Sequence, residues 1–140
     1  MSIEELLEQP YWVVDILPKQ VPAGDAGQYF AVDEYWRDPE RMPGIRKRFT
    51  ALLLKLNCYY HFEVFPGETE IPERDPLPER LAALAMGLDA AWCSIRLPSE
   101  DALITMDRED TSLTVYKPSP ELLELLGALA AGEGLYVWKP

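Results

Sequence analysis

The C-terminal part of the chain, residues 102–140, limits the fold more than any other stretch. Residues 103–106 and 113–116 are short runs of apolar and β-branched side chains, and the polar segment 107–112 connects them. Two such runs with a polar connection of this length predict a β-hairpin. The fold is therefore expected to contain a pair of antiparallel strands in this part of the chain.

A helix and a last strand are predicted after this hairpin. Ser119 is a suitable N-cap, and Pro120 suits the first helical position. An apolar stripe follows at i, i+3, i+4 and i+7, made of Leu122, Leu125, Leu126 and Leu129. Gly132 is expected to take the left-handed conformation after the last turn. The apolar run 135–138 stays ordered only if it pairs inside a sheet, so we expect the helix to pack across that sheet.

The earlier part of the chain alternates between helix and strand patterns. Strands are predicted at residues 11–17, 28–36, 58–64 and 92–97, and the first two are expected to form a long antiparallel hairpin. A short helix is predicted after Ser2, a longer one over residues 45–57, and another around Leu81 to Leu88.

This order of elements predicts an α+β fold. We expect a single globular domain over residues 1–140, with a mixed, mainly antiparallel sheet and three or four amphipathic helices. The C-terminal part forms a β-β-α-β unit in this prediction.

Charge and hydropathy exclude several classes of partner. The net charge of −11 disfavours binding to nucleic acid and to anionic lipid. No apolar run approaches the roughly 18 residues that a membrane-spanning helix needs, and no leader pattern precedes the first helix. We therefore expect a cytoplasmic protein with neither a nucleic-acid nor a membrane partner.

The residues that usually carry catalysis are sparse. His61 is the only histidine, and no serine lies in a Gly-x-Ser-x-Gly elbow. Cys58 and Cys93 are isolated cysteines in apolar runs, so both are expected to be buried thiols. On a strand, Cys58 and His61 would point to opposite faces, which disfavours a Cys-His pair. We expect no metal and no cofactor, and a non-enzymatic role is favoured.

One segment departs from the acidic character of the chain. Residues 37–55 carry six basic and two acidic side chains, whereas residues 1–36 carry one basic and seven acidic ones. On the predicted helix, Arg46, Lys47, Arg48 and Lys55 are expected to point outward. This basic segment has two interpretations: its charges are solvated or neutralised by the acidic loop 68–79, or they bind an acidic partner or a phosphate.

The aromatic residues suggest where binding takes place. Tyr and Trp side chains concentrate near residues 11–12, 29–36, 59–60 and 136–138, where they serve either core packing or an interface. The leading hypothesis is an accessory or binding domain that acts through a protein partner or self-association. The alternative is a small-molecule-binding protein or enzyme with an aromatic cleft and acid–base groups. The candidate binding residues are Asp33, Tyr35, Arg46, Lys47, Arg48, Tyr59, His61 and Glu63.

Overall fold

A computed structural model describes residues 1–24 and 27–140. Its helices are α1 (Ile3–Leu6), α2 (Tyr29–Trp36), α3 (Met42–Leu56), α4 (Pro78–Ala85) and α5 (Pro120–Gly132). Its strands are β1 (Tyr11–Asp15), β2 (Glu63–Pro66), β3 (Glu73–Arg74), β4 (Trp92–Leu97), β5 (Ala102–Asp107), β6 (Ser112–Tyr116) and β7 (Tyr136–Trp138).

The seven strands form one sheet in the order β3-β2-β4-β5-β6-β1-β7, and every pairing is antiparallel. The predicted α+β class is therefore confirmed. The first strand of the chain, β1, lies between β6 and β7, where Tyr11 pairs with Tyr116 and Val13 with Trp138. This position places the segment that follows β1 near β7, the strand at the edge of the sheet opposite to β3.

One face of the sheet carries the core. Val64, Ile95, Ile104 and Val115 are neighbours across β2, β4, β5 and β6, and all are fully buried. Three helices, α3, α4 and α5, pack against this face, and α3 also packs against both α4 and α5. Within α3 the deeply buried side chains recur with helical spacing, at Ile45, Phe49, Leu52, Leu53 and Leu56. The helix pattern predicted for this segment is confirmed.

The opposite face of the sheet is only partly covered. α1 packs against β5, and Leu6 and Leu103 are both fully buried. Towards the β7 edge, the neighbours Val13 and Trp138 also belong to this face, because they alternate with the buried Val14. This second face is where a cleft forms.

The C-terminal unit agrees closely with its prediction. β5 pairs with β6 as a hairpin, Ser119 Oγ accepts the Leu122 N–H at 3.1 Å, and Leu122 and Leu126 are fully buried. β7 pairs with β1, as a strand in this position requires. The prediction for Gly132 was wrong in detail: this residue still belongs to α5, and Gly134 is the one with a positive φ of 71°.

The strand predicted at residues 28–36 was wrong, because this segment is the helix α2. Every side chain from Tyr29 to Val32 is apolar or aromatic, so the pattern has neither a clear period of two nor a clear buried face. The predicted hairpin of the first two strands is also wrong, since β1 pairs with β6 and β7 instead. No residue of α2 is buried.

The strand predicted at residues 58–64 begins later than expected, at Glu63. Beyond α3 the chain keeps winding, because the N–H groups of Cys58 and Tyr60 donate to the carbonyls of Lys55 and Leu56. Cys58 is consequently exposed, and only Cys93 is the buried thiol that the sequence predicts. Burial raises the pKa of Cys93 to about 11.

Within the described part of the chain, no helix has the length and apolar character needed to cross a membrane.

Candidate functional site

The predicted site residues do not come together in one place. Tyr59, His61 and Glu63 lie next to or on β2, whereas Asp33 and Tyr35 lie on α2, near β1. Four strand-to-strand steps separate β2 from β1 in the sheet, which is roughly 19 Å at the usual ~4.8 Å per step. A single cleft containing Asp33, His61 and Glu63 is therefore not formed.

The group around β2 is a surface arrangement centred on Asp75. Its carboxylate accepts hydrogen bonds from the Phe62 N–H at 2.9 Å and from Asn57 Nδ2 at 3.1 Å, and it contacts His61 Nδ1 at 2.6 Å. The Phe62 N–H first, and then His61 and Asn57, hold the pKa of Asp75 below its usual value. His61 and Tyr59 are exposed, and Glu63 pairs with Arg74. This arrangement fixes the loop into β2.

The predicted outward position of Arg46 was wrong. Its side chain is 2% exposed and donates to the carbonyl oxygens of Ala85, Asp107 and Asp110 at 2.9–3.3 Å. These carbonyls come from the end of α4, the end of β5 and the β5–β6 loop, so one guanidinium joins three parts of the fold. Burial lowers the pKa of Arg46, and the charges of Cys93, Asp110 and Asp107 act in the opposite direction.

The rest of the basic segment is distributed over the surface. Lys47 and Arg48 are exposed. Three other cations have carboxylate partners outside the acidic loop 68–79: Arg37 pairs with Asp33, Arg41 with Asp38, and Lys55 with Glu133. The guanidinium of Arg41 also lies over the Tyr35 ring, 3.9 Å from its centroid. The basic segment is therefore not one continuous binding surface.

A cleft of about 500 Å³ lies on the partly covered face of the sheet, at its β1–β7 edge. We call it the aromatic cleft. Its lining comes from the sheet, from the segment that follows β1, from α2 and from the end of the β5–β6 loop. Four of its side chains are aromatic, namely Tyr29, Phe30, Trp36 and Trp138.

Among the described residues, three carboxylates also line this cleft: Asp15, Asp33 and Asp110. Burial raises the pKa of Asp15, and the charge of Asp33 adds to this effect, although the N–H groups of Ile16 and Leu17 and the Trp138 side chain oppose it. Asp15 Oδ1 accepts the Ile16 N–H at 2.7 Å. Carboxyl groups with raised pKa values inside a cleft are typical of functional sites.

Asp110 also lines the cleft, although the residue is exposed. Desolvation of its carboxyl group raises its pKa, and the nearby Asp107 adds to the rise, while Arg37 and Arg46 oppose it. Asp33 differs from both, because its Oδ2 accepts the Arg37 Nε–H at 2.8 Å. Arg37 also donates to the carbonyl oxygen of Glu109, which fastens the end of α2 to the β5–β6 loop. Among the described residues, no cationic side chain therefore lies within ion-pair distance of the other two carboxylates of the cleft, Asp15 and Asp110.

Asp33 was among the candidate binding residues predicted from the sequence, whereas Asp15, Asp110 and Trp138 were not. Asp15 was visible as the single polar interruption of the apolar run 11–17. Asp110 gave no comparable signal, because acidic residues are common in hairpin loops. Their proximity depends on β1 lying beside β6, where Asp15 pairs with Ser112.

Among residues 1–24 and 27–140, no group of three or more His, Cys, Asp or Glu side chains is arranged to hold a metal ion. No protein-family model matches the chain, and comparison with curated proteins and with solved structures finds no significant match.

Proposed function

We propose that this protein is a binding protein whose aromatic cleft takes a small organic cation with a flat apolar part. The observation that carries the proposal is the presence of Asp15 and Asp110 in a cleft of about 500 Å³ together with four aromatic side chains. Ligand pockets typically have roughly this volume, an apolar lining and a few polar groups.

The chemistry of the lining favours a cation over other ligands. A cationic group can approach Asp15 and Asp110, while the aromatic faces attract the same charge through their quadrupoles. Within the described part of the chain, the cations that line the cleft are Arg37 and Lys19, and Arg37 forms an ion pair with Asp33. The raised pKa of each carboxylate falls when a cation binds, so binding and ionisation reinforce each other.

We expect benzyltrimethylammonium to bind and to change the fluorescence of Trp36 and Trp138. This probe keeps its charge at every pH, so any pH dependence belongs to the protein. The pKa values of Asp15 and Asp110 lie above the usual 3.8, so both carboxyl groups become ionised only above that pH. The affinity for the cationic probe should therefore rise with pH in this range and become constant once both groups are ionised. Titrations from pH 4 to 8 would measure this rise.

Variants and matched probes sharpen the test. Replacing Asp15 by Asn should weaken binding about tenfold or more, since a charged contact contributes ~1.5–3 kcal/mol. Glu34→Gln is the control, because Glu34 is an exposed acidic residue of α2 outside the cleft lining. Equal affinity for benzyl alcohol or benzenesulfonate, or an unchanged affinity in Asp15→Asn, would contradict the proposal.

A second candidate function is self-association through α2. The observation that favours it is the exposure of this helix, which buries no residue and leaves Phe30 85% exposed. Neighbouring apolar side chains on the same helix, Tyr29, Val32 and Tyr35, are exposed as well. Such a patch is typical of an interface.

If α2 mediates a homodimer, the mass in solution should rise with concentration for the wild-type protein and stay monomeric for Phe30→Ser. Sedimentation measurements over a hundredfold range of concentration would show this. Leu77→Ser is a suitable control, because Leu77 is also exposed but precedes α4. A monomeric wild-type protein at all concentrations would rule out self-association.

A further inference from the structure

A second cavity, of about 650 Å³, lies where α3, the end of α4 and the β5–β6 loop meet. We call it the arginine pocket. Its lining combines apolar side chains, chiefly Met42, Met86 and Leu88, with three guanidinium groups, those of Arg37, Arg46 and Arg108. Of the residues that the structure describes, Glu109 is the one acidic residue in this lining.

Leu88 enters this pocket because α4 ends earlier than its sequence pattern predicts. The pattern placed Leu88 on the buried stripe with Leu81 and Leu84, but the helix ends at Ala85 and Leu88 is 72% exposed. Gly87, with a φ of 76°, turns the chain away from the helix. An apolar side chain is thereby placed at the rim of the pocket, where it contributes nothing to the core.

The position of Arg108 is set by the same glycine. A Cβ atom on Gly87 would lie 2.3 Å from the Cβ of Arg108, so the two segments can approach this closely only at a glycine. Arg46 reinforces the contact by donating to carbonyl oxygens on both sides of it, those of Ala85 and Asp107. The backbone around the pocket is therefore well fixed.

The three arginines differ in how many protein acceptors their guanidinium groups already contact. Arg46 donates to three carbonyl oxygens, and Arg37 pairs with Asp33. Arg108 has a single long contact of 3.5 Å to the Gly87 carbonyl oxygen and, within the described residues, no carboxylate at ion-pair distance. Arg108 thus offers most of its planar donor set to a ligand, and such a set matches one carboxylate or sulfonate.

We propose that the arginine pocket binds an amphipathic organic monoanion, with the anionic group on Arg108 and the apolar body against Met42, Met86 and Leu88. Methionine side chains adapt to apolar ligands of varied shape, and the volume is within the usual range for ligand sites. A small anion of this kind is attracted locally, although the whole chain carries a net charge of −11. This site shares Arg37 with the aromatic cleft, but the apolar side chains and Arg108 that would hold the ligand lie outside the cleft lining, and its charge preference is the opposite.

The methionine methyl groups provide a direct test with octanoate as the probe. The chain has four methionines, of which Met42 and Met86 line the pocket, whereas Met1 and Met106 do not. In methyl-labelled protein, octanoate should cause saturable shifts of the Met42 and Met86 signals only. Octyltrimethylammonium, which has the same tail and the opposite charge, should cause no saturable shift.

Two variants and one control test the role of Arg108. Arg108→Gln should weaken octanoate binding by about tenfold to a hundredfold, on the scale of a charged hydrogen bond. Arg74→Gln, an exposed arginine beside β2, should leave it unchanged. Leu88→Glu keeps Arg108 but places a competing carboxylate in the same pocket, so binding should be lost. Because Leu88 is exposed, the fold should be retained.

The proposal is overturned if octanol binds as tightly as octanoate, if Arg108→Gln binds like the wild-type protein, or if the saturable shifts appear at Met1 or Met106 instead. An absence of any saturable shift up to the solubility limit of octanoate would overturn it as well. Melting temperatures of both variants, compared with that of the wild-type protein, separate loss of the site from loss of the fold.

Discussion

Replacing Arg46 by methionine is expected to lower the free energy of unfolding by about 2 to 4 kcal/mol. Methionine fills similar space but leaves the carbonyl oxygens of Ala85 and Asp110 without the Arg46 donor, while the Asp107 carbonyl oxygen keeps the Asp110 N–H at 3.1 Å. A buried carbonyl oxygen that loses its donor costs ~1–3 kcal/mol. The variant no longer buries a charged group, and this gain offsets only part of the cost of the unpaired carbonyl oxygens. Urea unfolding monitored by tryptophan fluorescence would measure the change.

Lys47→Met is the matched control, because Lys47 is the exposed neighbour of Arg46 on the same helix. Its effect should stay within about 0.5 kcal/mol. Arg46→Met should also raise the pKa of Asp110 further, since the charge of Arg46 opposes that rise. If Arg46→Met and Lys47→Met had the same stability, the role given to the buried guanidinium would be wrong.

Replacing Phe49 by alanine is expected to cost about 3 to 5 kcal/mol of stability. Phe49 is fully buried at the centre of α3, among Leu52, Leu53 and Leu56, and lies under the guanidinium of Arg46 at 5.4 Å. The substitution removes apolar contacts and leaves a cavity that the rigid sheet beneath it cannot close. Thermal and urea unfolding should both report the loss.

Phe30→Ala changes the same residue type on the surface and should shift stability by no more than about 0.5 kcal/mol. Because Phe49 and Arg46 are in contact, the double variant should lose less than the two single losses together. A Phe49→Ala protein as stable as Phe30→Ala would contradict the packing described for α3.

The elements that could be predicted from the sequence are those with a strong local pattern. The helix α5 has its cap at Ser119 and its buried stripe at Leu122 and Leu126, so local sequence and tertiary packing agree. In α2 the local sequence and the packing do not agree, because its apolar residues lie on all sides of the helix and none is buried. The spacing of the apolar residues alone could therefore not distinguish a helix from a strand.

The candidate sites were harder to predict, because they depend on contacts between distant segments. Arg46 was expected outside because it lies off the apolar stripe of its helix, but its position depends on carbonyl oxygens of Ala85, Asp107 and Asp110. Every residue has a backbone carbonyl oxygen, so the sequence alone does not show which of them lie near a given side chain. The aromatic cleft likewise requires β1 to lie beside β6 and β7, and no local pattern specifies that order.

The place of β1 in the sheet has a consequence for how the protein folds. Both partners of β1 are distant along the chain, since Tyr11 pairs with Tyr116 and Val13 with Trp138. The pairs β4–β5 and β5–β6, by contrast, join consecutive strands. Non-local pairing slows folding, so we expect these consecutive strands to assemble first and β1 to insert late. During synthesis on the ribosome, β1 emerges before both of its partner strands and can pair only after β6 and β7 have emerged. The aromatic cleft is therefore among the last features to form.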